Sequence, residues 1–257
     1  MAKSNGKTVK AKSEKGNGKA ATGNEQRDVT AADLEALGIA TETSKALGGS
    51  RYPTISVEKI GFQVKNETGV QAMPSFDGII LHEHPLRTYY ASADVGNQPP
   101  DCYSPDGVTG SAFGSCASCQ HRFQAAANRA RAQGLKKPNE QYCRDKHAVY
   151  VALEPGGAAH LLRIPTMSLS RWQLFTAALK TQGKALAQVW TTFSVTTRKN
   201  AAGQPYGECN FLPGKGVALA ELKQLAPQAK MLRESAATVA QIPETAGSSV
   251  PQDNDSF

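Results

Sequence analysis

The sequence predicts a mostly β protein with a few helices, built on a small antiparallel barrel that carries a metal-ordered insert. Three observations predict this class. Six short strand-like segments surround one helical segment, an aliphatic-poor stretch interrupts them at residues 96–146, and four of the five cysteines lie in that stretch. The five-stranded oligonucleotide-binding (OB) barrel is one architecture of this kind.

The strands are predicted from apolar alternation between turn residues. These segments are 55–64, 76–93, 147–153, 159–164, 186–197 and 206–212. The phase of the alternation shifts near Lys59 in the first of them, and Pro85 interrupts the second. They place the folded, OB-like domain at 51–236, with the insert at 96–146 inside it.

Helical spacing predicts the remaining elements. Residues 31–47 favour a short helix capped by Thr30 and weakened by Gly38. Residues 168–182 place three large apolar side chains on one helix face, with Ser168 or Ser170 as the cap. A last helix is predicted over residues 217–236.

Charge is distributed unevenly along the chain, which has a net charge of +7. Residues 1–20 hold six lysines and one glutamate (+5), residues 234–257 hold four acids and no base (−4), and the rest holds 23 bases and 17 acids (+6). Composition predicts a disordered basic arm over 1–50 and a disordered acidic tail over 237–257. A basic body and arm fit a polyanionic partner, because neutralised phosphates release counterions.

Targeting signals are not evident in the sequence. The apolar runs are too short to span a bilayer, and the polar start MAKSNGKTVK is unlike a secretory signal. A cytoplasmic protein without a membrane partner is therefore expected. In a reducing compartment, clustered cysteines favour metal binding over disulfides.

The cysteine spacing predicts a structural zinc site. Cys102, Cys116, Cys119 and Cys143 follow the pattern C-x13-C-x2-C-x23-C. Four thiolates close a tetrahedral shell, and the metal would supply order that the insert lacks in apolar residues. An iron–sulfur cluster has the same ligand count, and His121 or His147 could replace one cysteine.

Catalytic motifs are weaker in this sequence than the cysteine pattern. We therefore expect that the protein is not an enzyme. His82 and His84 belong to a His-Glu-His segment and share one strand face, so they could chelate a metal. The favoured interpretation is a strand face exposed to solvent. A nuclease built from scattered carboxylates such as Asp77, Glu83 and Asp94 is the remaining enzymatic alternative.

Aromatic and basic residues alternate along the strands and the insert, a mixture typical of single-strand binding by base stacking and phosphate contacts. The predicted nucleic-acid-binding residues are Arg87, Tyr89, Tyr103, Arg122, Lys146, Tyr150, Trp190, Phe193, Arg198 and Lys199. About half of the strand aromatics are expected to face the core.

Several stretches resemble known proteins. Pro100–Gly107, Cys116–Cys119, Cys143-Arg144 and Ile164–Leu169 together look like a group of tailed-bacteriophage proteins, a likeness that covers residues 75–212 and implies replication or recombination functions. A cysteine-ligated zinc insert within an OB barrel is similar in design to the helix-destabilising protein of T-even phages, although that protein uses a mixed His/Cys set.

The acidic tip that contains Asp253 and Asp255 and ends in Phe257 resembles the tails of bacterial and phage single-stranded DNA-binding proteins. That resemblance implies recruitment of replication and recombination proteins by the tail. The leading hypothesis is a phage single-stranded DNA-binding protein. A homo-oligomer is compatible with this hypothesis. The alternative is a zinc-ribbon accessory factor that binds duplex DNA or a protein.

Overall fold

The computed structural model describes residues 28–39, 52–66, 69–92, 99–200 and 203–239. The strands are β1 (Thr54–Glu58), β2 (Gly61–Asn66), β3 (Gly69–Met73), β4 (Ser75–Tyr89), β5 (Cys102–Ser104), β6 (Thr109–Gly110), β7 (Gly114–Ser115), β8 (Arg144–Ala152), β9 (Ala159–Ile164), β10 (Val189–Lys199) and β11 (Pro205–Gly216). The α-helices are α1 (Ala31–Ala36), α2 (Phe123–Ala132), α3 (Leu169–Thr181) and α4 (Leu219–Val239), and short 3₁₀ turns cover Thr166–Ser168 and Leu186–Gln188.

One sheet contains most of the strands, in the order β11-β10-β4-β8-β9-β1-β2-β3, with β5 paired on β4. Neighbours are antiparallel, except that β1 runs parallel to β9. The small β6–β7 hairpin stands apart. The fold is therefore mostly β, as predicted.

The sheet curls into an open half-barrel. Its β1–β2 turn approaches the β10–β11 hairpin, where the Thr197 hydroxyl donates a hydrogen bond to the Lys59 carbonyl at 2.7 Å. Gly207 packs directly against the Glu58 carbonyl, and a Cβ at that position would overlap its oxygen. Backbone hydrogen bonding between these two regions does not close the described strands into a ring.

Both faces of the central strands are buried. On β4, Ile79 belongs to a core cluster shared with α4, whereas Ile80 belongs to a second cluster shared with α3. On β8, Tyr150 and Val151 divide between the two clusters in the same way. Helices α3 and α4 therefore cover opposite faces of the sheet, since neighbouring side chains on a strand point to opposite faces.

Most predicted strands are confirmed, with one refinement. The segment predicted at 55–64 is two strands, because the phase shift near Lys59 is a hairpin turn between β1 and β2. Strand β4 passes through Pro85, which lies opposite His147 of β8. Strand β3 and helix α2 were not predicted.

The helices follow the predictions with two corrections. Thr30 caps α1 through a capping box with Asp33, but the helix ends at Ala36, where Gly38 turns the chain with φ +71°. Ser168 stands at the N-cap position of α3, as predicted, but its hydroxyl makes no capping hydrogen bond and accepts the Cys209 N–H at 2.9 Å instead.

Part of the segment assigned to the N-terminal arm packs on the folded body. Val29, Leu34 and Ile39 are buried in the cluster that contains α4. The remaining tail predictions lie outside the described residues. No helix among the described residues is both long and apolar enough to cross a membrane.

Candidate functional site

The candidate site is the insert lobe, which we define as residues 99–143. It grows from the ends of two central strands, since β4 continues to Tyr89 and β8 begins at Arg144. Strand β5 pairs with this end of β4 and places Cys102 opposite Tyr89. The lobe is thus built on the sheet itself.

The four predicted cysteine ligands line one small cavity in the lobe. Cys102 comes from β5, Cys116 and Cys119 form a knuckle after β7, and Cys143 precedes β8. The free space is about 10 Å³, which is about the room that one small ion or water needs. Burial, followed by the neighbouring Cys116, raises the pKa of the Cys143 thiol to about 12.

The described residues contain no group of three or more Cys, His, Asp or Glu side chains spaced as a metal site. The four thiols therefore share a cavity without adopting ligand spacing. Cys209, the fifth cysteine, is buried in β11, as expected for a strand residue. Burial raises the pKa of its thiol to about 12 as well.

Glycine and aspartate fix the loops around this cavity. A Cβ at Gly110 would lie 2.7 Å from Cys102 Sγ and 3.9 Å from Cys116 Sγ. Asp106 accepts hydrogen bonds from the N–H groups of Val108 and Thr109 and from the Ser104 hydroxyl. Although burial opposes it, these bonds lower the pKa of Asp106. The loop is held by these polar turn contacts.

Of the two histidines considered as substitute ligands, only His121 lines the cysteine cavity. Its ring lies tilted against two aromatic rings, 4.1 Å from Tyr89 and 4.6 Å from Phe113 between ring centroids. His147 instead contacts Glu83 through its Nε2 atom on the neighbouring strand. His121 is therefore the better placed substitute.

Exposed rings and bases share the insert lobe. Phe113 and Phe123 are 43% and 51% exposed, and Phe123 packs edge-on against Tyr142 at 5.0 Å. Within the lobe, residues 121–143 hold five bases and one acid, a net charge of 5 − 1 = +4. Arg129 pairs with that acid, Glu140, at 2.8 Å. Neither phenylalanine is among the nucleic-acid-binding residues predicted from the sequence.

Four of the predicted nucleic-acid contacts are wrong, because the sheet buries them. Phe193 is 0% exposed, Tyr150 is 2% exposed and Tyr89 is 8% exposed, so these rings cannot stack on bases. Lys146 is 4% exposed and cannot follow a phosphate backbone. The strands that carry these residues are covered on both faces.

The other predicted contacts are partly accessible. Trp190 is half-buried, its Nε1–H donates to Glu221, and Lys215 lies over its ring. The remaining predicted residues divide between the insert side and the β10–β11 hairpin: Arg87, Tyr103 and Arg122 on the first, and Arg198 and Lys199 on the second. Both Arg198 and Lys199 are exposed, and Arg198 lies 3.3 Å from Glu208. The structure therefore does not gather all ten residues on one surface.

The His-Glu-His segment is not a solvated strand face. His82 and His84 share one face, as predicted, but both are buried beside Tyr150. Burial lowers the pKa of His84 to about 4. Of the carboxylates in the nuclease alternative, Asp77 accepts a hydrogen bond from the Thr192 hydroxyl, Glu83 contacts His147, and Asp94 lies outside the described residues.

The tail residues Asp253, Asp255 and Phe257 also lie outside the described residues. A scan against protein-family models finds no match, and searches of curated proteins and of solved structures find none either.

Proposed function

We propose that this protein binds single-stranded DNA through its insert lobe, as a non-enzymatic factor of phage replication or recombination. The observation that carries the proposal is the coincidence of exposed phenylalanines with a +4 segment, residues 121–143, on one lobe. Exposed rings stack on unpaired bases of any sequence, and the bases of the protein neutralise phosphates. Duplex DNA keeps its bases stacked inside and offers such rings little to bind.

Zinc is the proposed structural cofactor of the lobe. Four thiols line one cavity of ion size, and no larger apolar core lies among them. Cys102, Cys116, Cys119 and Cys143 would hold the ion, which would supply folding free energy and no reactive position. Residues from three separate pieces of chain would then be tied together beside the exposed rings.

Metal content tests this cofactor. The Cys116→Ser variant is expected to lose most of the bound zinc, measured by elemental analysis of purified protein. The matched control is Cys209→Ser, because Cys209 is a buried thiol far from the cavity. Equal zinc content in both variants, or iron with sulfide in place of zinc, would contradict the assignment.

Oligonucleotide titration tests the function. Fluorescence anisotropy should show tighter binding of a labelled single strand than of the duplex with the same sequence, at low and at moderate salt. The Phe123→Ala change should weaken single-strand binding by roughly 1–3 kcal/mol, the contribution of one stacked base. The control is Ile60→Ala, an exposed apolar side chain on the β1–β2 turn.

The same titration separates the proposal from its alternative. Equal or stronger binding of duplex would favour the zinc-ribbon accessory factor, and no binding of either nucleic acid would reject both nucleic-acid functions. Recruitment of replication proteins by Asp253, Asp255 and Phe257 is a further part of the proposal. Removing Phe257 should abolish partner capture while leaving single-strand affinity unchanged.

A further inference from the structure

A second concave surface lies beside the insert lobe, between helix α3 and the ends of β4 and β8. We call it the α3 groove. Its volume is about 960 Å³, at the upper end of the range for ligand pockets. One face of α3 forms its wall through Leu169, Gln173, Thr176 and Lys180, which recur at helical spacing over roughly 16 Å.

The floor of the groove is apolar and its rim is cationic. Leu169 and Leu186, both half-buried, and the exposed Ala177 form the accessible floor, whereas Lys180 and Lys184 are exposed at the rim. Neither lysine forms an ion pair with another described residue. The rim is thus available to an anionic ligand.

The acids that line the groove are already engaged with neighbouring groups. Glu83 contacts His147, and Asp145 accepts a hydrogen bond from Arg87 at 2.6 Å. Both pairs span strands β4 and β8. Their engagement leaves the two rim lysines to set the sign of the local potential, so the groove favours negative charge.

Arg87 connects the groove to the insert lobe, because its side chain lines both the cysteine cavity and the α3 groove. An anionic chain that leaves the lobe therefore meets the Arg87 guanidinium, which is paired with Asp145, where the lobe adjoins the groove. A compact anion would not need this continuity, and an extended polyanion would use it.

We propose that the α3 groove holds the continuation of the bound single strand. Phosphates lie at Lys180 and Lys184, and a base lies against the apolar floor. This inference rests on the proposed function and adds a binding path that the insert lobe alone does not provide.

The test compares two pairs of charge removals in the full chain. The groove variant combines Lys180→Gln with Lys184→Gln and so removes both positive charges at the rim. Lys223→Gln with Lys230→Gln removes the same charge from exposed positions on α4, which covers the opposite face of the sheet. Binding of a labelled oligo-dT strand of about 16 nucleotides, a long single-site length, is measured over a series of salt concentrations.

The groove variant is expected to bind roughly tenfold more weakly and to lower the slope of log K against log salt by about 1.4, since each single-strand phosphate contact contributes about 0.7. The α4 variant should keep the wild-type slope. In the wild-type protein, amine-reactive footprinting should show that the oligonucleotide protects Lys180 and Lys184 but leaves Lys223 reactive.

Failures of the two proposals give different results. If the wild-type protein binds no single strand, the proposed function is rejected. If it binds and the groove variant keeps the wild-type slope, with Lys180 and Lys184 unprotected, only the groove inference is overturned. A labelled polyglutamate peptide gives the last outcome. If the wild-type protein binds this peptide, the groove variant does not, and the oligonucleotide slope is the same in both proteins, the groove inference is overturned in favour of an acidic peptide ligand.

Discussion

At Gly110, a hydrogen in place of a methyl group leaves room for the sulfur of Cys102. A Cβ there would lie 2.7 Å from Cys102 Sγ, closer than a methyl and a sulfur can pack. The backbone of Gly110 is not in the left-handed region, so this requirement is purely steric. Glycine is required at this position by the space beside Cys102 and not by the backbone conformation of the turn.

The Gly110→Ala change should therefore displace Cys102 and destabilise the lobe by about 1–3 kcal/mol, the usual cost of overpacking. Zinc content should fall with it. The control is Gly216→Ala, where an added Cβ would meet nothing closer than 4.0 Å. The steric argument is refuted if the Gly110→Ala and Gly216→Ala variants both keep the melting temperature and the metal content of the wild type.

His84 makes the stability of the sheet depend on pH. Its pKa is lowered from 6.5 to about 4, mainly by burial and in smaller part by the nearby His82 and His147, while the hydrogen bond with the Pro85 carbonyl and the charge of Glu83 oppose the shift. Between pH 6.5 and about pH 4, His84 takes up a proton in the unfolded chain but not in the folded protein. Stability therefore falls as pH falls through this window and levels off below it, with about 2 kcal/mol lost by about pH 5.

Replacing His84 with Gln should remove this part of the pH dependence. Chemical denaturation of both proteins at about pH 7 and about pH 5 measures it, and the variant should lose about 2 kcal/mol less than the wild type between the two conditions. Any effect of pH on the cysteines cancels, because both proteins contain them. Equal losses would show that His84 is protonated in the folded state.

At the scale of elements, the contact that shapes the half-barrel is between β11 and the β1–β2 turn. Gly207 allows β11 to lie on the Glu58 carbonyl, and a Cβ there would also lie 2.9 Å from Val195 Cγ1. Two strands that are distant in the sheet order meet here without a backbone ladder. The curl depends on the absence of a side chain at this point.

The Gly207→Ala change should push the two regions apart and lower the free energy of unfolding by roughly 2 kcal/mol. Gly216→Ala, at the other end of β11, is again the control. Zinc content should not change, because the insert lobe lies elsewhere. Thermal denaturation of both variants measures the effect, and equal melting temperatures would contradict it.

Sequence patterns predicted the elements better than the surface. Alternation located the long strands because their turns contain Gly and Pro. The four cysteines predicted as ligands line one cavity without ligand spacing, so the metal site stays a prediction. The aromatic contacts were harder to assign, since α3 and α4 cover both faces of the sheet and bury Tyr150 and Phe193 alike. Helix α2 was missed because alanines, with little apolar surface, form its buried side: Ala126, Ala127 and Ala130.

At the scale of the whole molecule, the insert lobe and the sheet have different sources of order. The sheet has two apolar clusters, whereas the lobe has one small cavity lined by thiols. A strong chelator should therefore unfold the lobe first and leave the sheet intact. The two parts should separate in an experiment that reports on local opening.

Hydrogen exchange with and without chelator provides that measurement. Amides of α2 are expected to lose protection after chelation, whereas those of β8 beyond Ala148 and of β9 should keep theirs. Single-strand affinity should fall in parallel with the loss in α2. Uniform loss of protection, or none, would contradict separate stabilisation of the two parts.

The β4–β8 ladder also determines how the molecule carries a mechanical load. Its register runs from Ile79 opposite Ala152 to Thr88 opposite Arg144, so it reaches from the sheet centre to the base of the lobe. Antiparallel hydrogen bonds lie across the strands, and a pull along them strains many bonds at once, in shear. Because the lobe joins β4 and β8 at the same end, tension on the lobe pulls these two strands together, and the shear falls on the ladders that join the pair to β10 and β9.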